Sequence, residues 1–268
     1  MVWDIFNLRG LLLAVLVFVP LERLFALRKD QRLLRQHWKL DAFYAVFNSL
    51  LIKVGLAIVI VASISAAEWA VPIRLRECVA ALPLWLQVPS ALVISDVAFY
   101  LVHRLFHKIP WMWKFHAVHH SIQEMDWLAA HRVHPIDQIL TKGGSLLLIF
   151  ALGLSDAAIG IYSILYFWQS LILHSNVNWR FGALSRIVAT PQFHHWHHAD
   201  HREAYDKTFA GQLSILDACF GTLHLPGNEY PLRYGTPEPV PRRYIEQLRY
   251  PFTRSAPPPD GIPATDQR

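Results

Sequence analysis

The chain has 268 residues, of which 53% are hydrophobic and 17% charged, and a net charge of +5. The charged share lies well below the roughly 25% of soluble domains. With a mean hydropathy of +0.25, this excludes an ordinary soluble globule and points to a bilayer. Two cysteines, Cys78 and Cys219, are too few for a thiolate metal site, and they fall in segments expected on opposite sides of the membrane.

The first apolar stretch, Leu11–Val19, follows Asp4 rather than a basic start and runs into Pro20-Leu-Glu-Arg without a small-residue cleavage pattern. It reads as an uncleaved helix over Leu8–Leu27. A basic segment follows, with Arg28, Lys29, Arg32, Arg35 and Lys39. A second helix is predicted over Asp41–Ala66 and a third over Pro83–Val102, both long enough to span. A polar, His-rich segment then runs to Asp137. Ile139–Leu154 and Ala157–Leu173 are short for full spans, and read as two tilted helices or a re-entrant hairpin. A second His-rich segment covers His174–His201, and the Pro/Arg-rich chain after Pro226 is expected to be disordered beyond Ser255. The positive-inside rule makes the Arg28–Lys39 segment cytoplasmic. Both His-rich segments and the C-terminus then share that side.

The expected fold is therefore all-α: an integral membrane protein with about four transmembrane helices and a cytoplasmic His-rich helical cap. Residues 1–225 form one membrane domain, with its core over about 90–225, and 226–268 a cytoplasmic tail. Within that tail, Val240–Phe252 sets Tyr244, Ile245, Leu248, Tyr250 and Phe252 among arginines, a pattern suited to the membrane interface. Neither basic cluster has the surroundings of a nucleic-acid module, so no nucleic-acid partner is expected.

Thirteen of the fifteen histidines lie between His103 and His201, so the enrichment is local and calls for a local cause. His103 and His107 are four apart; His116, His119 and His120 form an H-x-x-H-H triplet, and His194, His197 and His198 another. Residues three and four apart share a helix face, so each group presents two or three imidazoles to one point. Eight imidazoles exceed the needs of one ion, and two ions account for the number. Imidazole suits Zn, Cu, Fe or Ni, and ligand type alone leaves that choice open. His174 closes an apolar helix and His134 sits in Arg132-Val-His-Pro135. His195, His131 and His201 are weaker candidates, and His37 and His224 read as surface or capping residues. Asp96, Tyr100, His103 and His107 form one helical stripe. An acid within a membrane helix is costly and functional by default, so Asp96 is expected to accept a hydrogen bond from a ligand histidine or from Arg104. Glu124, Asp126, Asp137, Asp200 and Asp206 are further supporting acids that spacing does not rank.

Four blocks, His103-Arg-Leu-Phe-His107, His116-Ala-Val-His119-His120, Arg132-Val-His134-Pro135 and His194-His-Trp-His197-His198, resemble the fatty acid hydroxylase/sterol desaturase superfamily. Asp96-x-x-x-Tyr100, His174-Ser-Asn176 and Leu216-Asp217-x-x-Phe220-Gly221-Thr222 extend the likeness over roughly residues 20–225. The resemblance implies a di-iron centre that activates O2 and hydroxylates or desaturates an unactivated C–H bond of a membrane lipid. Its implied ligands are His103, His107, His116, His119, His120, His134, His174, His194, His197 and His198. Asp96, Tyr100 and Asn178 are the implied supporting or water-positioning residues. Asn178 stands where some hydroxylases of the family place a second histidine. With no dinucleotide fingerprint, cysteine cluster or haem domain, electrons are expected from a separate ferredoxin or reductase. The lack of a retrieval signal at Asp266-Gln-Arg268 favours a bacterial inner membrane. The competing readings are a zinc-dependent membrane enzyme of non-oxidative chemistry and a metal transporter. Only Asp96 and Lys53 stand near mid-membrane depth, which suits transport poorly.

Overall fold

Without water, a membrane segment must satisfy its own backbone N–H and C=O groups, and the helix does so within one segment. The computed structural model describes residues 8–253, and among them it contains helices and no strand. In chain order these are α1 (Leu8–Leu24), α2 (Trp38–Phe43), α3 (Ser49–Ala70), α4 (Ile73–Ala80), α5 (Leu84–Lys108), α6 (Pro110–His120), α7 (Pro135–Ala151), α8 (Asp156–His174), α9 (Pro191–His197), α10 (Ile215–Cys219) and α11 (Tyr244–Arg249). A π-helical turn, Tyr44–Asn48, joins α2 to α3 in one rod. Among the described residues, three helices are long and apolar enough to cross a membrane: Trp38–Ala67, Leu84–Lys108 and Asp156–His174. The expected helix over Leu8–Leu27 stops at Leu24, and α7 has 17 residues, about 26 Å at 1.5 Å per residue. α7 and α8 are two helices joined by a short turn, α8 is among the helices long and apolar enough to span, and α7 packs along both α3 and α5.

The rods carry large apolar side chains outward: Leu16 is 71% exposed, Ile58 66% and Ile164 61%. Such a surface belongs against lipid. Inside, small residues let helices approach. A Cβ added at Gly143 of α7 would lie 3.3 Å from Val59 of α3, and one at Gly55 of α3 would overlap the Ile139 side chain of α7.

Pro and capping residues set the ends. Pro110, Pro135 and Pro191 each begin a helix, where a missing N–H costs nothing. Ser155 and Thr190 cap α8 and α9 through their side chains. The ends of α1, α5 and α8 and the starts of α2 and α7 meet in one polar layer. There Glu22 accepts from the Trp127 and Asn176 N–H groups, and Asp41 pairs with Arg35 and Arg132. At the opposite end Gln87 bridges the Leu82 carbonyl and the Ser155 N–H. Both cysteines are exposed free thiols, Cys78 on α4 at that far end and Cys219 on α10 in the polar layer.

Residues 226–253 lie against the polar layer. The Arg28 guanidinium donates to the Pro231 and Leu232 carbonyls, Tyr44 to Gln247, and Tyr244 to Asn48. The disorder expected beyond Ser255 falls outside the described residues.

Candidate metal centre

Three short stretches of helix deliver most of the imidazoles. His103 and His107 end α5, His116, His119 and His120 end α6, and His194, His197 and His198 occupy α9 and its C-cap; His174 is the last residue of α8. They converge as two groups whose potential ligand nitrogens lie within 4.8 Å of one another. One contains His103, His107, His116, His120 and His197, the other His119, His174, His194 and His198.

Each triplet divides between the groups rather than serving one point. The i, i+4 pair His116/His120 joins the first group while His119 turns to the second. His194/His198 joins the second while His197 turns to the first. At about 100° per residue, positions i+3 and i+4 straddle position i, so a helix wedged between two centres feeds both. The groups therefore abut: the His120 and His198 rings stack 4.6 Å apart.

The outward nitrogens show what the inward ones must be. Backbone carbonyls of Phe209, Arg132, Ser170 and Lys207 face Nδ1 of His103, His119, His174 and His197 at 2.6–3.1 Å. Asp137 Oδ2 faces His116 Nδ1 at 2.7 Å. An acceptor there places the proton on Nδ1 and leaves a lone pair on Nε2. For the pairs His103–His116 and His119–His174, both lone pairs are fixed in this way and point at one another. Nε2–Nε2 separations are 2.9 Å for His103–His116, 3.0 Å for His120–His197, 3.2 Å for His119–His174 and 3.0 Å for His174–His194. Two acceptors at such distances repel unless a cation lies between them. The buried His107 Nε2, also aimed inward, has no hydrogen-bond partner. Burial holds His119, His120, His194 and His198 well below the usual imidazole range, and neighbouring imidazoles add to the effect. His197 is lowered to about 3 by burial and then by His116. The donor set is neutral, nitrogen-only and preorganised, and it fits two transition-metal ions.

Nine of the ten expected ligands are thus brought together. His134 is not: its Nδ1 accepts from the Ile136 N–H as the cap of α7, and its Nε2 faces the Leu248 carbonyl. Asn178 is exposed and donates its backbone N–H to Phe25, away from both groups. His195 lies outside them too, between the Tyr234 hydroxyl and the Ser175 carbonyl.

Asp96 does not accept from a histidine or from Arg104. Its carboxylate takes the backbone N–H groups of Gly211, Gln212 and Leu213 at 2.6–3.0 Å. Asp217 takes those of Phe209 and Ala210, each at 2.8 Å, and Thr222 bridges Asp217 to the Tyr100 hydroxyl. The two acids clamp the loop whose Lys207 and Phe209 carbonyls orient His197 and His103. Asp206 and Thr208 of that loop have φ of 57° and 55°, a left-handed conformation costly for a β-branched residue. The clamps hold it in place.

Sequence reasoning did not rank Asp137 and did not find Lys142. Lys142 lies within α7, its Nζ 5.1 Å from the Tyr166 ring centroid. Tyr166 lies 6.4 Å from Phe99, and Phe99 lies 5.1 Å from His103. These residues line the interior of the helices beneath the first histidine group. The charge in an otherwise apolar run was the available signal.

A family model described as fatty acid hydroxylase matches residues 88–222, which includes every histidine of the two groups. An ornithine lipid hydroxylase of Rhizobium tropici is 30% identical over 64% of this chain and 52% of its own length. Alkylglycerol monooxygenases of Homo sapiens and Xenopus tropicalis are 32% and 31% identical over 56% and 54% of this chain, and 33% and 32% of their own. The matches thus span a third to a half of those relatives. No solved structure matches. The paired histidine groups at the end of an apolar helical bundle and the match over half its length show that the chain belongs to the fatty acid hydroxylase family.

Proposed function

We propose that this protein is an O2-dependent lipid hydroxylase that holds two iron ions in its histidine groups. The observation that carries the reading is the convergence of imidazole nitrogens in two adjoining groups of five and four. Bound iron would supply O2 activation and the oxidising power that an unactivated C–H bond requires. The first group would hold one ion through His103, His107, His116, His120 and His197. The second would hold the other through His119, His174, His194 and His198. Asp137 and the four carbonyls would keep Nδ1 protonated and the ring aimed in His103, His116, His119, His174 and His197. Burial of the rings excludes bulk water from the centre. Beneath them, Phe99 and Tyr166 wall an approach from the bilayer side for an acyl or alkyl chain.

The relatives are named for ornithine lipid and alkylglycerol, so a polar-headed membrane lipid is the substrate class we assign, with hydroxylation preferred to desaturation. The basic Arg28–Lys39 segment lies at the metal end, and the positive-inside rule then makes that end cytoplasmic, in a bacterial inner membrane. A separate redox protein delivers electrons there, and the exposed Arg242, Arg243 and Arg249 offer an acidic partner a surface.

The test is metal analysis of protein prepared without added metal, followed by O2 uptake on reduction with membrane lipid extract present. Two irons per chain, O2 consumption and a lipid product heavier by one oxygen are expected. Stable zinc with no O2 uptake in a preparation that still turns over lipid would overturn the reading.

A further inference from the structure

We propose that the recess between the end of α1, the 25–33 loop and the Asn176–Asn178 turn binds the phosphate of an anionic bilayer phospholipid. The recess has a volume of about 550 Å³, and its wall carries Arg23, Arg28, Lys29 and Arg32. Arg23, Lys29 and Arg32 are exposed, and among the described residues none of the three side chains makes a hydrogen bond or ion pair. Arg28 is engaged: its backbone N–H and C=O bind the Asn176 side chain, and its guanidinium holds the Pro231 and Leu232 carbonyls. Two carboxylates also face the recess, and both are occupied. Glu22 accepts from the Trp127 and Asn176 N–H groups, and Asp126 pairs with Arg35 at 2.7 Å while accepting from Ala129. The accessible charge is therefore positive. Arg23 alone would pass for a cation that complements the end of a helix. Lys29 and Arg32 lie beyond α1, where no helix end calls for them.

The rim decides for lipid over a soluble anion. Leu24 is 76% exposed, Phe25 49% and Leu33 45%, interleaved with the cations. Below them runs the apolar outer face of α1, with Leu16 and Leu12 71% and 63% exposed. A phosphodiester seated on the three cations would leave its acyl chains along that face. Basic residues near a bilayer surface attract anionic headgroups at about 1 kcal/mol each, and three round one recess localise that attraction. The Asn176 side chain, tied to Arg28, is two residues past His174, so the site braces the strap that carries a member of the second histidine group.

The test does not depend on oxygenation. Full-length protein in nanodiscs of phosphatidylcholine, or of phosphatidylcholine with phosphatidylglycerol, is released and weighed by native mass spectrometry. One retained phosphatidylglycerol per chain is expected, without matching retention of phosphatidylcholine. The triple variant Arg23→Gln/Lys29→Gln/Arg32→Gln should lower that retention about 10-fold or more. The control triple Arg242→Gln/Arg243→Gln/Arg249→Gln should leave it unchanged. Unaltered metal content in both variants shows that they fold. Equal retention of the two lipids, full retention by the first triple, or equal loss in the control overturns the site. So does thermal stabilisation by inorganic phosphate without any retained phosphatidylglycerol, which would mark a soluble-anion site.

Discussion

Asp137 and His116 show what one side chain contributes to the centre. The carboxylate is 2% exposed and sits 2.7 Å from His116 Nδ1. An acceptor at that nitrogen fixes the ring and raises its basicity, and losing such a partner typically costs 10–100-fold in metal affinity. Asp137→Ala should weaken binding in the first histidine group by about that factor. Asp137→Asn, which keeps an accepting oxygen, should lose less; competition titration with a chelator measures both. His119→Ala and His197→Ala each remove a member of a different group, so each should halve the metal content and abolish activity. His37→Ala should do neither. Full metal in His119→Ala would refute the division into groups. The histidines also set a pH response. An unfolded chain takes up protons on imidazole near pH 6.5, whereas burial keeps His195 and His197 unprotonated to about 3 in the native state. Between these values the unfolded state binds more protons. Stability of the metal-free protein should therefore fall as pH drops from about 6.5, by up to about 1.4 kcal/mol per unit for each such histidine. Melting temperatures taken from neutral to mildly acid pH check this, and a flat profile would contradict it. His195→Gln removes a non-ligand contributor and should make the slope shallower.

Among the elements, the 206–213 loop is the one on which the centre leans hardest. Asp96→Ala would strand the N–H groups of Gly211, Gln212 and Leu213, the first and last half-buried and that of Gln212 fully buried. The cost is about 1–3 kcal/mol for the buried Gln212 N–H, with smaller additions from the two half-buried groups. Because the same loop presents the Phe209 and Lys207 carbonyls, metal affinity should fall with stability, and Asp96→Asn should lie between. Melting and metal titration on the same samples separate this from simple misfolding. Asp96 marks the boundary of what the sequence made legible. Its cost in a membrane helix flagged it, but its partners are backbone groups 115 to 117 residues away, and no spacing rule encodes them. The long helices were legible because a bilayer leaves an apolar run little alternative. The H-x-x-H-H triplets were legible as helix faces, yet their division between two groups depends on which helices lie on either side. His134 misled because a histidine before proline looks the same whether it binds metal or caps a helix. Asn178 misled because the chain turns outward after Asn176, and sequence position alone does not show that turn.

For the molecule as a whole, the architecture separates two cooperative layers. α3, α5, α7 and α8 pack through apolar and small side chains and need no metal to hold together. α6, α9 and the 206–213 loop are short, and α6 and α9 with its C-cap bring six of the nine imidazoles into the space where their nitrogens crowd one another. α6 and α9 have 11 and 7 residues, below the length at which isolated helices persist in water. Metal binding is then folding free energy for the polar layer, and ligand loss should act locally. Chelation should leave the helical circular dichroism of the membrane rods nearly intact while hydrogen exchange accelerates in 110–120 and 191–213. Amides in the interiors of α3 and α7 should keep their protection. Re-addition of metal should restore slow exchange in both segments together, because His119 and His120, and likewise His197 and His198, tie each segment to both groups. Exchange that rises evenly across rods and polar layer would mean a single cooperative unit. Recovery of one segment without the other would contradict the interleaving that the division of each triplet imposes.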